Sequence, residues 1–226
     1  MNFITSFYNS SIGKKWIVAL TGLVLIGYVI GHMAGNLQIF AGPEKINAYA
    51  AFLHSLPGPL WVIRIFLIVC LVLHIVMTIK LAVENRSAKA QKNEYQATTS
   101  FKPAKATMVL SGLVVLAFLV LHLAHFTIRS IDPRFHELPR GEFDVHSMVI
   151  LGFQNVWYSG FYIIAVFLLC LHLSHGFQSL LQTLGINSKK VRLPITYGGQ
   201  ALSWLIFAGY VAVPIAVLTH HLTLVP

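Results

Sequence analysis

Leu171-His172-Leu173-Ser174-His175-Gly176 lies inside a long apolar run, and its reading decides the rest of the chain. An imidazole is expensive in hydrocarbon unless something claims it. A second apolar run carries Leu121-His122-Leu123-Ala124-His125-Phe126, so two histidines three residues apart are again expected on one helix face. Two further runs carry one histidine each, His32 and His74. Four hydrophobic runs therefore each bring an imidazole to a depth that lipid alone does not favour.

The chain has 226 residues, 56% hydrophobic and 10% charged, with a mean hydropathy of +0.72. That is too apolar for a soluble domain of this length. A net charge of +9 invites a nucleic-acid reading, but the basic residues fall between the apolar runs, so membrane topology accounts for them better. Cys70 and Cys170 each sit within an apolar run and read as small buried hydrophobes rather than a disulfide.

Five segments approach or exceed the ~20 residues needed to cross a bilayer: 16–33, 60–82, 107–128, 156–180 and 199–218. None contains Asp or Glu. The expectation is an all-α membrane protein, one domain over 1–226, built as a bundle of five transmembrane helices. The first run ends in Gly31-His32 without a small-residue cleavage site, so it reads as a retained span. Lys14, Lys15, Lys80, Arg86, Lys89, Lys92, Lys102, Lys105, Lys189, Lys190 and Arg192 collect on one side, predicting a cytoplasmic N-terminus and an outer C-terminus. The other side has Lys45, Arg64, Arg129, Arg134 and Arg140, with most of the acids.

In the first outer connection, Gly42-Pro43-Glu44 resembles a helix start, and Ile46, Tyr49, Ala50, Leu53 and Leu56 recur at helical spacing. A short interfacial helix is predicted, ended by Pro57-Gly58-Pro59. The second outer connection, 129–155, holds Asp132, His136, Glu137, Glu142, Asp144 and His146 and reads as a solvated cap. Gly27, Gly31 and Gly35 recur every four residues, a spacing that serves close helix packing or admits a flat macrocycle beside His32. No longer repeat is evident.

Spans one and three run outward while two and four return, so sequence position converts into depth. His32 lies 16 residues after Trp16 and His122 lies 16 after Ala106, placing both at one outer level. His74 lies 13 after Trp61 and His172 lies 15 after Trp157, placing both nearer the cytoplasm. The two levels are expected to differ by roughly 5–15 Å. Matched imidazole pairs at two depths suit two haem b groups: His32 and His122 on the outer one, His74 and His172 on the inner one. With both axial positions filled, the remaining chemistry is one-electron transfer. Zinc or copper would want ligands converging at one level with carboxylate or thiolate help. The absence of Cys-x-x-Cys-His excludes covalent c-type haem. His125 and His175 are second choices, for a haem propionate or a quinone oxygen, or as ligands themselves. His54, His220 and His221 sit at the interfaces.

These residues carry a resemblance. His32-Met33-Ala34-Gly35-Asn36-Leu37 with Asn47-Ala48-Tyr49 and Phe52-Leu53-His54, then His74, His122, and the block His172-Leu173-Ser174-His175-Gly176-Phe177-Gln178-Ser179 continuing to Leu184-Gly185, are similar to one family. The chain resembles, over nearly its whole length, the five-helix, two-haem cytochrome b subunit of succinate:quinone oxidoreductases, the anchor type shared by succinate dehydrogenases and fumarate reductases. The resemblance implies one haem ligand from each of the first four helices, matching His32, His74, His122 and His172. It also implies a flavoprotein and an iron–sulfur subunit docked on the cytoplasmic face, where the basic loop 84–105 is a candidate surface, although lipid headgroups explain its charge equally well. Electrons would pass between that iron–sulfur subunit and menaquinone or ubiquinone. A quinone site needs an apolar cleft with polar groups reaching water; Asn36, Gln38, Glu44 and His54 qualify near the outer haem, and His175, Gln178 and Gln182 near the inner one. The alternatives are the cytochrome b subunit of another quinone-linked oxidoreductase, or a transporter or channel using histidines as a relay.

Overall fold

The computed structural model describes residues 7–87, 108–139, 141, 143–186 and 188–225, and within them every regular element is helical. The elements are α1 (Ser11–Leu37), a 3-10 turn (Gln38–Ala41), α2 (Pro43–His54), α3 (Pro57–Ser87), α4 (Met108–His122) with a π turn (Leu123–Thr127), a 3-10 turn (Pro133–His136), α5 (Val145–Gln154), α6 (Val156–Thr183) and α7 (Lys189–Leu218). Five of the helices are long and apolar enough to cross a membrane: α1, α3, α4, α6 and α7. Lys89, Lys92, Lys102, Lys105, Arg140 and Glu142 lie outside the described residues.

Local chemistry explains the boundaries. Ser10 caps α1, its Oγ accepting from the Gly13 amide at 2.9 Å. Asn155 caps α6, its Oδ1 accepting from the Trp157 amide at 3.0 Å. Gly42 takes a φ of 97°, open to glycine, and hands the chain to Pro43 at the first position of α2. α7 starts ten residues before its predicted span because Pro194, one turn past the helix start, forfeits only one backbone bond there. The helices also outrun the predicted spans at the start of α1 and the end of α3. Lys14, expected as a loop charge, is buried within α1 and forms an ion pair with Glu84, an acid within α3.

α1 packs on α3, α6 and α7; α6 packs on α7 and α4. α1 and α4 share no extended packing among the described residues, and neither do α3 and α6. Gly199 lets α7 approach α6, since a Cβ there would come 2.8 Å from Phe177 Cδ1. One core cluster, built on Ile39, Ile46, Ile150, Phe153, Tyr162, Val213 and Val217, closes one end of the bundle. A second, built on Ala19, Ile26, Leu173, Leu180 and Ile206, binds α1, α6 and α7 further along. The starts of α3 and α6 carry the exposed Trp61 and Trp157, as expected of an interfacial aromatic belt.

The second connection is not the solvated cap expected from its charges. His136 and Glu137 are exposed, but Asp132, Asp144 and His146 are buried and the segment contains α5, a short apolar helix packed on α2, α6 and α7. Asp144 is the reason the helix starts there: Oδ1 accepts from the Ser147 amide at 3.2 Å and from Asn47 Nδ2 at 3.0 Å. Asn47 Oδ1 in turn accepts from the His146 amide at 3.0 Å. α2 and α5 are thus clamped together, and they form a cap over one end of the bundle.

Candidate functional site: two paired imidazoles in the bundle

His32 on α1 and His122 on α4 meet across helices that share no extended packing among the described residues. Their ring centroids are 5.8 Å apart at an interplanar angle of 81°. Tyr28, one turn before His32, stacks on it at 5.5 Å, and Phe118, one turn before His122, packs on it at 5.7 Å. Tyr210 of α7 stands 6.2 Å from the His32 ring, its hydroxyl donating to the Val29 carbonyl at 2.7 Å. The three-glycine stripe divides: Gly35 is packed, with a Cβ position 3.1 Å from Tyr49 Cε1, while nothing lies within 4 Å of a Cβ at Gly27 or Gly31.

His74 on α3 and His172 on α6 form the second pair, with His74 within electrostatic reach of His172. Each ring rests against a glycine of a neighbouring helix: a Cβ at Gly22 would lie 3.3 Å from His74 Cε1, and one at Gly112 would lie 3.4 Å from His172 Cε1. Each is also met by the hydroxyl preceding that glycine. Thr21 Oγ1 is 3.2 Å from His74 Nδ1, and Ser111 Oγ is 3.3 Å from His172 Nδ1. Gly22 precedes His32 by ten positions, and Gly112 precedes His122 by ten. That is roughly 15 Å of helix rise between the two levels, the upper end of the expected range.

Such pairs fit a haem between them. An iron bound by two imidazole nitrogens at roughly 2 Å each sets the ring centroids roughly 6 Å apart, close to the 5.8 Å separating His32 and His122. α1 and α4 share no extended packing among the described residues, nor do α3 and α6, and Gly27 and Gly31 are exposed with nothing within 4 Å of a Cβ. Among the described residues no group of three or more His, Cys, Asp and Glu side chains is placed to hold a metal ion.

His125 lies in the π turn Leu123–Thr127, where each residue advances through a smaller angle than in an α-helix. It is fully buried in a box of Phe126 (4.2 Å between ring centroids), Tyr158 (4.8 Å) and Phe135 (5.3 Å), with its Nδ1 3.2 Å from the Tyr162 hydroxyl. Its Nε2 has no hydrogen-bond partner. His175 stays on regular α-helix, within electrostatic reach of His172. Of the polar groups considered for quinone, Gln178 is buried, Asn36 and Gln38 are half-buried, and Glu44, His54 and Gln182 are exposed. His54 Nδ1 lies 2.9 Å from the Ala50 carbonyl.

The hydroxyls at Thr21 and Ser111 were legible in a repeat that the sequence reading overlooks. Leu20-Thr21-Gly22-Leu23-Val24 and Leu110-Ser111-Gly112-Leu113-Val114 stand ninety positions apart, and the same offset relates Tyr28 to Phe118, His32 to His122 and Ala34 to Ala124. α1 and α4 therefore carry one pattern: hydroxyl and glycine at one level, aromatic and histidine at the other. Outside the membrane segments, Arg134 Nε and Nη2 donate to Asp132 at 2.9 and 2.6 Å, and Nη2 also donates to the Leu151 carbonyl at 2.8 Å. The guanidinium holds the Asp132 carboxyl below the usual carboxylate range. No protein-family model matches the chain, and neither a curated protein nor a solved structure matches it.

Proposed function

We propose that the chain is the haem b-binding membrane anchor of a succinate dehydrogenase or fumarate reductase complex, carrying electrons between an iron–sulfur subunit and membrane quinone. The observation that carries this reading is the approach of His32 to His122 and of His74 to His172 at two levels, from helices that share no extended packing among the described residues. His32 and His122 would hold one haem b, and His74 and His172 the other. Two bis-imidazole haems supply reversible one-electron transfer and offer no open coordination site.

The chain's own part is placement and insulation. Four helices hold the imidazoles at fixed depth, and Tyr28 and Phe118 cover the flanks of the His32–His122 pair. The end capped by α2 and α5 faces outward and the N-terminus is cytoplasmic, as the distribution of Lys and Arg favours. On that assignment His32–His122 is the outer pair and His74–His172 the inner. A flavoprotein and the iron–sulfur subunit dock at the cytoplasmic face of a bacterial membrane, the inner pair nearest to them. Quinone chemistry requires protons, for which Gln178 and His175 near the inner pair, or Asn36 and Gln38 near the outer, are the polar groups in reach of a cleft.

The test is purification from the native membrane, with a dithionite-reduced minus oxidised spectrum and a pyridine haemochrome count. Two b haems per chain, with a flavoprotein and an iron–sulfur protein co-purifying, are expected. A colourless preparation, with haem loss controlled for, would overturn the proposal in favour of a histidine relay.

A further inference from the structure

We propose that Thr21 and Ser111 orient and tune the inner ligand pair: each hydroxyl accepts the Nδ1–H of the facing histidine, fixing the tautomer that leaves Nε2 free for iron. The inference rests on the haem-anchor reading. Thr21 Oγ1 lies 2.6 Å from the Ile17 carbonyl, and Ser111 Oγ lies 3.0 Å from the Met108 carbonyl, both on their own helix. A hydroxyl has one proton and two lone pairs. With that proton donated to a carbonyl, which can only accept, the oxygen faces His74 Nδ1 at 3.2 Å or His172 Nδ1 at 3.3 Å as an acceptor.

The arrangement is built twice, at matching positions of α1 and α4, which argues against coincidence. Gly22 and Gly112 complete it, because a side chain in either place would press on the ring that the preceding hydroxyl holds. The outer pair lacks this device at His122, whose Nδ1 is buried with no partner. A ligand histidine that donates its second N–H to an acceptor is a more basic ligand with a fixed ring plane. A more basic ligand favours ferric over ferrous iron. Thr21 and Ser111 therefore lower the potential of the inner haem and leave the outer one alone.

The experiment compares the wild-type complex with Thr21→Val, Thr21→Ser, Ser111→Ala and Ser111→Thr. It reads haem content, the midpoint potential of each haem by redox titration, and the low-spin ferric EPR signal, which responds to ring orientation. Thr21→Val and Ser111→Ala are expected to shift the inner haem to a higher potential with an altered EPR signal, the outer haem unmoved. Thr21→Ser and Ser111→Thr, which keep the hydroxyl, are expected to behave as wild type. Loss of the inner haem alone in the hydroxyl-free variants, restored in the hydroxyl-keeping ones, also supports the role. Two haems with both potentials unchanged in Thr21→Val and Ser111→Ala would overturn it, as would a shift confined to the outer haem. Wild-type protein without haem b would instead bring down the haem-anchor reading itself, a separate and recognisable result.

Discussion

At the scale of the residue, His32 and His122 face each other from α1 and α4, and His74 and His172 each meet a hydroxyl of a neighbouring helix. His74→Ala or His172→Ala is expected to remove one haem, and His32→Ala or His122→Ala the other, in each case halving the pyridine haemochrome count. His125→Phe is expected to keep both, because His125 packs in an aromatic box of Phe126, Phe135 and Tyr158 that a phenyl ring can fill. Loss of a haem in His125→Phe protein that remains folded would show that the π turn does not separate it from the ligand set.

At the scale of the element, α5 depends on a polar clamp. Asp144→Ala removes both the acceptor for the Ser147 amide and the partner of Asn47. The expected loss is about 1–2 kcal/mol, read as a lowered thermal midpoint in detergent. An unchanged midpoint would mean that apolar packing alone holds the cap. The neighbouring Asp132–Arg134 tie has a pH signature. A folded-state carboxylate held below its ordinary value stabilises fully above the unfolded value of about 3.9, and that contribution is lost as pH falls below it. Protection of the 129–144 connection from an acid-tolerant protease should therefore persist from neutrality down to about pH 4 and decline further down. A decline centred well above pH 4 instead would show that a group other than Asp132 controls the segment.

At the scale of the whole molecule, α3 is tied to the bundle mainly through α1. Lys14 is only 7% exposed at its side chain while Glu84 is 45% exposed, so removing the acid strands a buried ammonium. Glu84→Gln is expected to destabilise by about 1–3 kcal/mol, less once Lys14→Met is added. An additive double variant would show that the pair is not coupled. With the proposed haems lying between α1 and α4 and between α3 and α6, pairs that share no extended packing among the described residues, haem supply should govern stability. Protein made under haem limitation is expected to melt lower and to be cut faster by protease than haem-replete protein. Equal stability would argue that the gaps need no occupant.

Apolar run length determined five spans from sequence alone, and Gly42-Pro43 determined α2, because each rests on the local requirement that backbone polar groups be satisfied within a helix. Alternating span direction also placed His32 level with His122 and His74 level with His172, since helix rise is constant. The π turn that holds His125 was not legible, because two histidines three apart read as one regular face until the turn's geometry is known. Nor was the burial of Asp144 and Asp132: a charged residue reads as solvated unless its distant partner, Asn47 in one case, is already placed. Thr21 and Ser111 stood in a visible repeat, but a hydroxyl in an apolar helix acquires meaning only from the ring opposite it. Which helices leave gaps, and which side chains face across them, are properties of packing between segments far apart in the chain, and only the tertiary structure decides them.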